Sequence, residues 1–385
     1  MRDTDFDRAR GLQQRSSIRV KSIRVAIVAP SVGILGGQAV QAERLLARWS
    51  TDPAVHAWLV PINPVPPGPL QHLRRVKYLR TVATQLAYWP LLFRELRKAD
   101  VVHVFSASYF SFLLAPLPAV LVAKLLGKPV VMNYRSGEAP DHLRRSAVAR
   151  WTLKWVERNA VPSAFLHGVF DSFGIASEII PNIVDMDRFA FRRREPLGTR
   201  ILSTRNFESH YNVACTLRAF HIVQMHRPDA SLTLVGSGSQ ELELRALADH
   251  LGLRHVTFAG RVPPGEMWRY YAEADIYLQT PDLDNMPSSV LEAFASGCPV
   301  VSTEAGGVPA ILTDGRHGLL VPCGDHTRAA TAILKLLEDP ALARHLADEA
   351  VESCRRYQWA AVRAQWLALY QDLSRARGLP APSTA

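Results

Sequence analysis

The chain has 385 residues, of which 48% are apolar and 21% charged; it is too long for one ordinary core and too apolar for a disordered protein, so two α/β domains are expected. Its formal charge of +10 is uneven: residues 1–180 carry 24 Lys+Arg against 12 Asp+Glu (+12), while residues 181–385 carry 21 against 23 (−2). Cys215, Cys298, Cys323 and Cys354 show neither C-x-x-C spacing nor grouped histidines, which argues against a zinc site or a disulfide framework and for a reducing, cytoplasmic setting.

The basic half calls for an anionic partner. Nucleic acid, an anionic membrane surface and a phosphorylated acceptor all fit. No nucleic-acid motif accompanies the charge, and the basic segments also hold Leu and aromatic residues, which favours a membrane or lipid-linked acceptor. A plain solvated basic surface accounts for the charge equally well.

Residues 1–22 are polar and lack the apolar core of a signal peptide, so they read as a mobile tail, with no export expected. IRVAIVAP, 23–30, reads as a buried strand and QAVQAERLL, 38–46, as a helix. Between them lie Gly36 and Gly37, in the kind of turn that brings backbone N–H groups against a phosphate. PINPVPPGP, 61–69, is an irregular loop. Residues 72–100 read as a basic amphipathic helix with Tyr78, Tyr88 and Trp89 beside Arg74, Arg75, Lys77 and Arg80, either packed on a sheet or docking at a bilayer interface.

VVHVF, 101–105, is a strand, and the apolar run 108–126, interrupted by Pro116 and Pro118, reads as a buried crossover helix and not a membrane span. KPVVMNY, 128–134, is a strand that delivers Arg135, Ser136, Gly137 and Glu138. Arg135 suits a phosphate or an acceptor and is too basic to act as a general base near neutral pH. Glu138 reads either as an acceptor-side carboxylate or as a charge at a helix N-terminus. A second basic helix, 144–158, carries Trp151 and Trp155, and the domain boundary is placed near Pro181.

The α/β rhythm then repeats. A strand at 201–204 ends at Arg205, where a guanidinium can fork onto a diphosphate, and a helix follows at 213–225. SLTLVGSGS, 231–239, is a strand entering a glycine turn, and VTFAGRVP, 256–263, is another strand. Residues 274–279 form a buried strand ending in a loop with Asp282 and Asp284. From Ser288 the apolar residues fall at a helical spacing, Val290, Leu291, Phe294 and Ala295, until Gly297 and Pro299 stop the helix before a strand at 300–302. Such βαβ units bind ligands at the carboxyl ends of their strands. Ser288 and Ser289 sit where free N–H groups and the helix dipole receive an anion. Asp284 and Glu292 are of a kind to accept hydrogen bonds from sugar hydroxyls. Each alone reads as a loop or solvated helix residue; beside Gly306-Gly307, which lets backbone approach a ligand, the set favours a site. Two helices over 326–352, one over 353–373 and a tail complete the chain.

The stretch 275–322 resembles the donor-binding signature of retaining GT-B glycosyltransferases of family 4: an acid, seven residues, a Glu, then A-x-A-x-G-x-P-V-V and a Gly-Gly turn. The Gly36-Gly37 loop, the connection EIIPNIVDMDRF at 178–189 and the last helix match the same family. The resemblance implies α/β architecture of GT-B type, with two Rossmann-like doubly wound domains facing across a cleft. The acceptor-side domain would span 23–180 and the donor domain 181–355, with 356–385 crossing back as a helix and ending in a tail. It implies a hexosyltransferase that moves a sugar from a nucleotide diphosphate sugar to a glycan or lipid-linked acceptor with retention, without cofactor or metal. Asp284 would contact the transferred sugar and Glu292 the ribose. Gly36, Gly37, Arg205, Ser288 and Ser289 would hold the diphosphate and the backbone near Val262 the base, with Arg135 and Glu138 on the acceptor side. The expected setting is cytoplasmic and peripheral at the inner membrane face, with no nucleic-acid partner. Three departures, Asp284 for the usual Glu, Arg135 for a His, and His210 and Tyr211 where a Lys follows Arg205, leave as alternatives a weakly active or inactive nucleotide-sugar-binding scaffold and a sugar-nucleotide epimerase.

Overall fold

The computed structural model describes residues 22–31, 37–65 and 77–375, with Lys77 and Tyr78 by backbone alone. The N-terminal tail, Gly36, Arg74, Arg75 and the C-terminal tail, all singled out in the sequence, lie outside the described residues.

Strands β1 (Ile23–Ala29), β2 (Val55–Pro61), β3 (Val101–Phe105), β4 (Val130–Asn133), β5 (Arg158–Val161) and β6 (Glu178–Ile179) form one parallel sheet in the order β2-β1-β3-β4-β5-β6. Its helices are α1 (Gly37–Trp49), α2 (Lys77–Leu96), α3 (Tyr109–Leu114), α4 (Pro116–Leu125), α5 (Ala139–Arg145), α6 (Ala147–Trp155) and α7 (Ala164–Ser172). Strands β7 (Arg200–Ser203), β8 (Ser231–Val235), β9 (Val256–Gly260), β10 (Ile276–Gln279), β11 (Val300–Thr303) and β12 (Leu319–Val321) form a second parallel sheet, ordered β12-β11-β10-β7-β8-β9. Its helices are α8 (Val213–His226), α9 (Glu241–His250), α10 (Met267–Glu273), α11 (Ser288–Ala295), α12 (His326–Glu338) and α13 (Pro340–Cys354), and α14 (Trp359–Arg375) follows.

Central strands such as β3 (VVHVF) and β4 (VVMN) are buried along their whole length because helices cover both faces of the sheet. On one face of the first sheet Tyr88 and Leu92 of α2, Phe112 of α3 and Val120 of α4 pack on Val28, Val102 and Val104. The other face is closed by Leu45 and Trp49 of α1 together with Trp366, Leu369 and Tyr370 of α14. The last helix therefore returns to the first unit, where Arg363 clasps Asp52 just beyond α1, its Nη2 donating to Oδ1 at 3.1 Å.

Strand order reverses between β1 and β3 in the first sheet and between β7 and β10 in the second. Crevices open at such reversals beyond the carboxyl ends of the strands. Those two edges meet: Gln41 of α1 reaches Ser288 at the start of α11, and the loop after β4 lies against the loop after β10.

Several helices differ from the sequence reading. The 108–126 run is two helices, broken at Ala115 because Pro116 starts a new helix and cannot continue the old one. The 144–158 helix is split at Ser146, whose side chain caps α6 by accepting from the Ala149 N–H, and Arg158 already belongs to β5. The 72–100 helix is described from Lys77 to Leu96, with Pro90 inside it. No helix among the described residues is long and apolar enough to cross a membrane.

Candidate active site

Arg205 leaves the end of β7 at the strand-order reversal of the second sheet. Its Nη2 is in contact with Asp284 Oδ2, its Nη1 donates to Ser289 Oγ at 3.1 Å, and the guanidinium lies 4.1 Å from the centre of the Tyr211 ring. Burial works against its charge, yet Asp284 and the surrounding tyrosines outweigh burial and hold it above its ordinary value. Nε is buried without a hydrogen-bond partner.

Glycines fix this arginine. A Cβ on Gly236 would stand 2.1 Å from the Arg205 carbonyl oxygen, and one on Gly238 would stand 2.4 Å from that of Phe207. The G-S-G turn therefore presses directly on the segment that carries Arg205, a role beyond the helix-entry turn read from the sequence.

The acidic loop is held from below. The His210 carbonyl accepts from the N–H groups of Asp282 and Leu283 at 2.9 and 3.2 Å, and Asn212, which caps α8, donates to Asp282 at 3.0 Å. Where a Lys was expected, His210 thus anchors the loop through its carbonyl and Tyr211 stacks on Arg205. Gly306 and Gly307 close the loop from above: a Cβ on them would lie 2.1 and 2.0 Å from the carbonyl oxygens of Asp284 and Asn285. The close approach that requires these glycines is to the neighbouring loop, where the sequence reading had placed a ligand.

Glu292 is buried, and its Oε1 receives Arg44 Nη2 of α1 at 2.5 Å; Arg44 also donates to the Ile183 carbonyl at 3.0 Å. Gln41, one turn earlier on α1, donates to Ser288 Oγ at 2.9 Å. Ser289 Oγ donates onward to Gln279 Oε1 at 3.2 Å. One helix of the first unit thus closes on the acid and the serine of the second. Sequence reasoning missed Arg44 and Gln41; their signal was their position on the helix after the Gly36-Gly37 turn.

Across the cleft, the Asn285 side chain donates to the Arg135 carbonyl at 3.4 Å and receives the Ser163 hydroxyl. Gly137 stands where a Cβ would be 3.4 Å from Asp284 backbone, so this glycine too faces the acidic loop. Glu138 begins α5, half-buried, with its N–H donating to Ser136 Oγ at 3.3 Å. Arg135 Nε donates to Asn133 Oδ1 at 2.8 Å.

The structure thus brings Arg205, Asp284, Ser288, Ser289, Glu292, Arg135 and Glu138 to the facing edges of the two sheets. Gly37 opens α1, exposed and with open space where its Cβ would be. Val262 lies past β9 at the sheet edge, half-buried against the cluster of Tyr271 and Tyr277. Among the described residues no three His, Cys, Asp or Glu are grouped as metal ligands. A hollow of about 570 Å³ lies near Val156, Arg158 and Ser177, at the amino ends of β5 and β6 and so opposite the cleft.

Two family models tile the chain: "Glycosyltransferase Family 4" matches residues 22–188 and "Glycosyl transferases group 1" matches residues 188–353. The chain belongs to the GT-B glycosyltransferases of this group and is an enzyme of that class. It is 25% identical over 345 residues to a phosphatidyl-myo-inositol mannosyltransferase of Mycobacterium leprae, covering 87% of this chain and 89% of the relative. It is 32% identical over 152 residues to a D-inositol 3-phosphate glycosyltransferase of Corynebacterium glutamicum, covering 38% and 36%. Among solved structures it resembles sucrose-phosphate synthase of Thermosynechococcus elongatus (TM-score 0.73, 20% identity, 92% of this chain and 100% of that one). Anabaena HepE in complex with UDP and glucose is similar in fold (TM-score 0.70, 17% identity, 90% and 99%).

Proposed function

We propose that this glycosyltransferase takes its sugar from a nucleotide diphosphate sugar and passes it, with retention, to a glycan or lipid-linked acceptor. The observation that carries the reading is Arg205, clasped by Asp284, Ser289 and Tyr211 where strand order reverses. Leaving-group charge on a departing diphosphate is stabilised best by fixed cations and dipoles in an enclosed site. Arg205 and the N-terminus of α11 supply both, and α1, which Gly37 opens, meets the start of α11 through Gln41 and Ser288. Glu292 fixes the ribose hydroxyls once Arg44 yields its place, and Asp284 holds the transferred sugar. Val262 lies beside the base. No residue is asked to hold a metal, so transfer is expected to persist in a chelator.

The acceptor reading rests on the first unit's surface. Leu79, Val82 and Leu86 on α2 are 45–59% exposed, and Phe110 on α3 and Trp151 and Trp155 on α6 are also exposed. Arg80, Arg144 and Lys154 lie on α2, α5 and α6 near them. Apolar and aromatic side chains interleaved with cations suit peripheral contact with an anionic bilayer. The inositol lipid in the name of the first relative is in keeping with such an acceptor.

The test is turnover of UDP- and GDP-sugars by the purified chain, with and without acceptor lipid in anionic vesicles. Release of nucleoside diphosphate that rises with acceptor supports the reading. Binding without turnover leaves a scaffold, and an altered sugar nucleotide from donor alone indicates epimerisation.

A further inference from the structure

Among the described residues, two enclosed cations of the cleft are matched to acids. Arg205 meets Asp284, and Arg44 meets Glu292. Arg194, buried elsewhere without a carboxylate, is satisfied by the carbonyl oxygens of Arg192, Tyr271, Ala274 and Ser296. Arg135 has neither arrangement. Among the described residues it forms no ion pair, Nε reaches only the neutral Asn133 amide, and Nη1 is buried with no hydrogen-bond partner. Glu138, three residues on, turns to Ser136. Burial, the largest influence, pushes the guanidinium down to about 9.

The group is also held rigidly. An arginine Nε can only donate, so Asn133 must present its oxygen to it and its amide nitrogen to His103 Nε2, 2.9 Å away. The imidazole then carries its proton on Nδ1 and donates to the Tyr370 hydroxyl at 2.6 Å. Burial, followed by the charge of Arg135, keeps His103 neutral. Asn133, His103 and Tyr370, the last on the helix that returns from the second unit, fix the stem and leave the Nη atoms uncommitted. Arg135 is only partly buried as a residue, but its enclosed Nη1 has neither carboxylate nor hydrogen-bond partner; such a group is costly to leave unpaired, and an anion arriving with a ligand would satisfy it.

We propose that Arg135 receives a negatively charged group, a carboxylate or a phosphate monoester, carried into the cleft on the transferred sugar or on the acceptor. The inference rests on the donor reading above, because it is the acidic loop after β10, packed against Arg135, that brings a reacting sugar to it. It narrows the substrate class: at least one reactant is anionic close to the bond being exchanged.

Calorimetric titrations test it. UDP and GDP report the donor site; UDP-glucuronate against UDP-glucose probes a charged donor sugar; glucose 6-phosphate against glucose, with saturating nucleotide, probes a charged acceptor. In the unsubstituted enzyme one charged probe is expected to bind at least about tenfold tighter than its neutral counterpart. Arg135→Met should abolish that preference, leave nucleoside diphosphate affinity within about twofold, and melt no lower than the parent, since it removes a buried charge that has no partner. Equal binding of charged and neutral probes overturns the inference, as does a preference that survives in Arg135→Met. A parallel loss of diphosphate affinity also overturns it, since the arginine would then serve the donor phosphates. A melting temperature lower by more than about 5 °C would show the guanidinium to be structural. If neither UDP nor GDP binds while glucose 6-phosphate without nucleotide is still preferred to glucose and that preference is lost in Arg135→Met, the donor reading fails and this one does not.

Discussion

At the edge of the second sheet Arg205 is enclosed by an acid, a hydroxyl and an aromatic ring, whereas at the facing edge of the first sheet Arg135 has a neutral amide and the Phe105 ring, 5.5 Å away. Both guanidiniums leave strand ends within the same cleft. One is held above its ordinary value by neighbouring charge and the other is pushed down by burial. On the reading proposed above, the contrast is a division of labour: the face of Arg205 is balanced before any ligand arrives, while the face of Arg135 takes its balance from a substrate.

If that division holds, substitutions on the two faces separate kinetically. Asp284→Ala should lower kcat by about 100-fold or more with any acceptor, because it removes the partner that aims Arg205 and frees the loop. Glu138→Gln should cost less than about tenfold, mostly as a raised acceptor KM, and an equal loss in kcat from both would erase the contrast. Next in size is Gly306→Ala. This residue has φ +52 and its Cβ would stand 2.1 Å from the Asp284 carbonyl oxygen, so stability should fall by about 2–4 kcal/mol in urea melts.

Arg44 sharpens the comparison, since it crosses from the first unit to occupy the acid of the second. Arg44→Gln is expected to tighten nucleoside diphosphate binding by about three- to tenfold, as Glu292 no longer exchanges one partner for another. Weaker binding would mean that Arg44 and the ribose share Glu292.

The smallest effect concerns the returning helix. The Asp52 carboxyl is held low, mainly by its hydrogen bond from Arg363. A carboxyl with a folded value below its unfolded one, about 3.9, contributes fully above that range and loses its contribution as pH falls through the folded value. Asp52→Asn should therefore cost about 1 kcal/mol in melts at pH 7 and progressively less as pH falls through the folded value.

The donor half was more legible than the acceptor half for a physical reason. Its strand, loop, helix and strand over 276–303 depend on local signals: an apolar run, Pro287 before the serines, and Gly297 with Pro299 as a stop. Glycines at 306 and 307 could be recognised without knowing what they touch, and their true neighbours, the Asp284 and Asn285 carbonyls, are visible only in three dimensions. In the first half β2 reads VHAWLVP, half-exposed at a sheet edge, and β5 is four residues that follow α6 after a short gap, so neither announced itself. The ion pair of Arg44 with Glu292 joins residues 248 positions apart, and no local pattern encodes it. Arg135 was conspicuous as a residue type, but its lack of a partner is a property of the packed site.

The most direct test of the donor site is a calorimetric titration of Arg205→Met with the nucleoside diphosphate that the unsubstituted enzyme binds best. Loss of a fixed cation from the diphosphate should weaken binding at least about 30-fold, near 2 kcal/mol, with the melting temperature of the free protein showing that the fold persists. Unchanged affinity in a folded Arg205→Met protein would contradict the account, because the nucleotide would then be bound somewhere other than the reversal between β7 and β10.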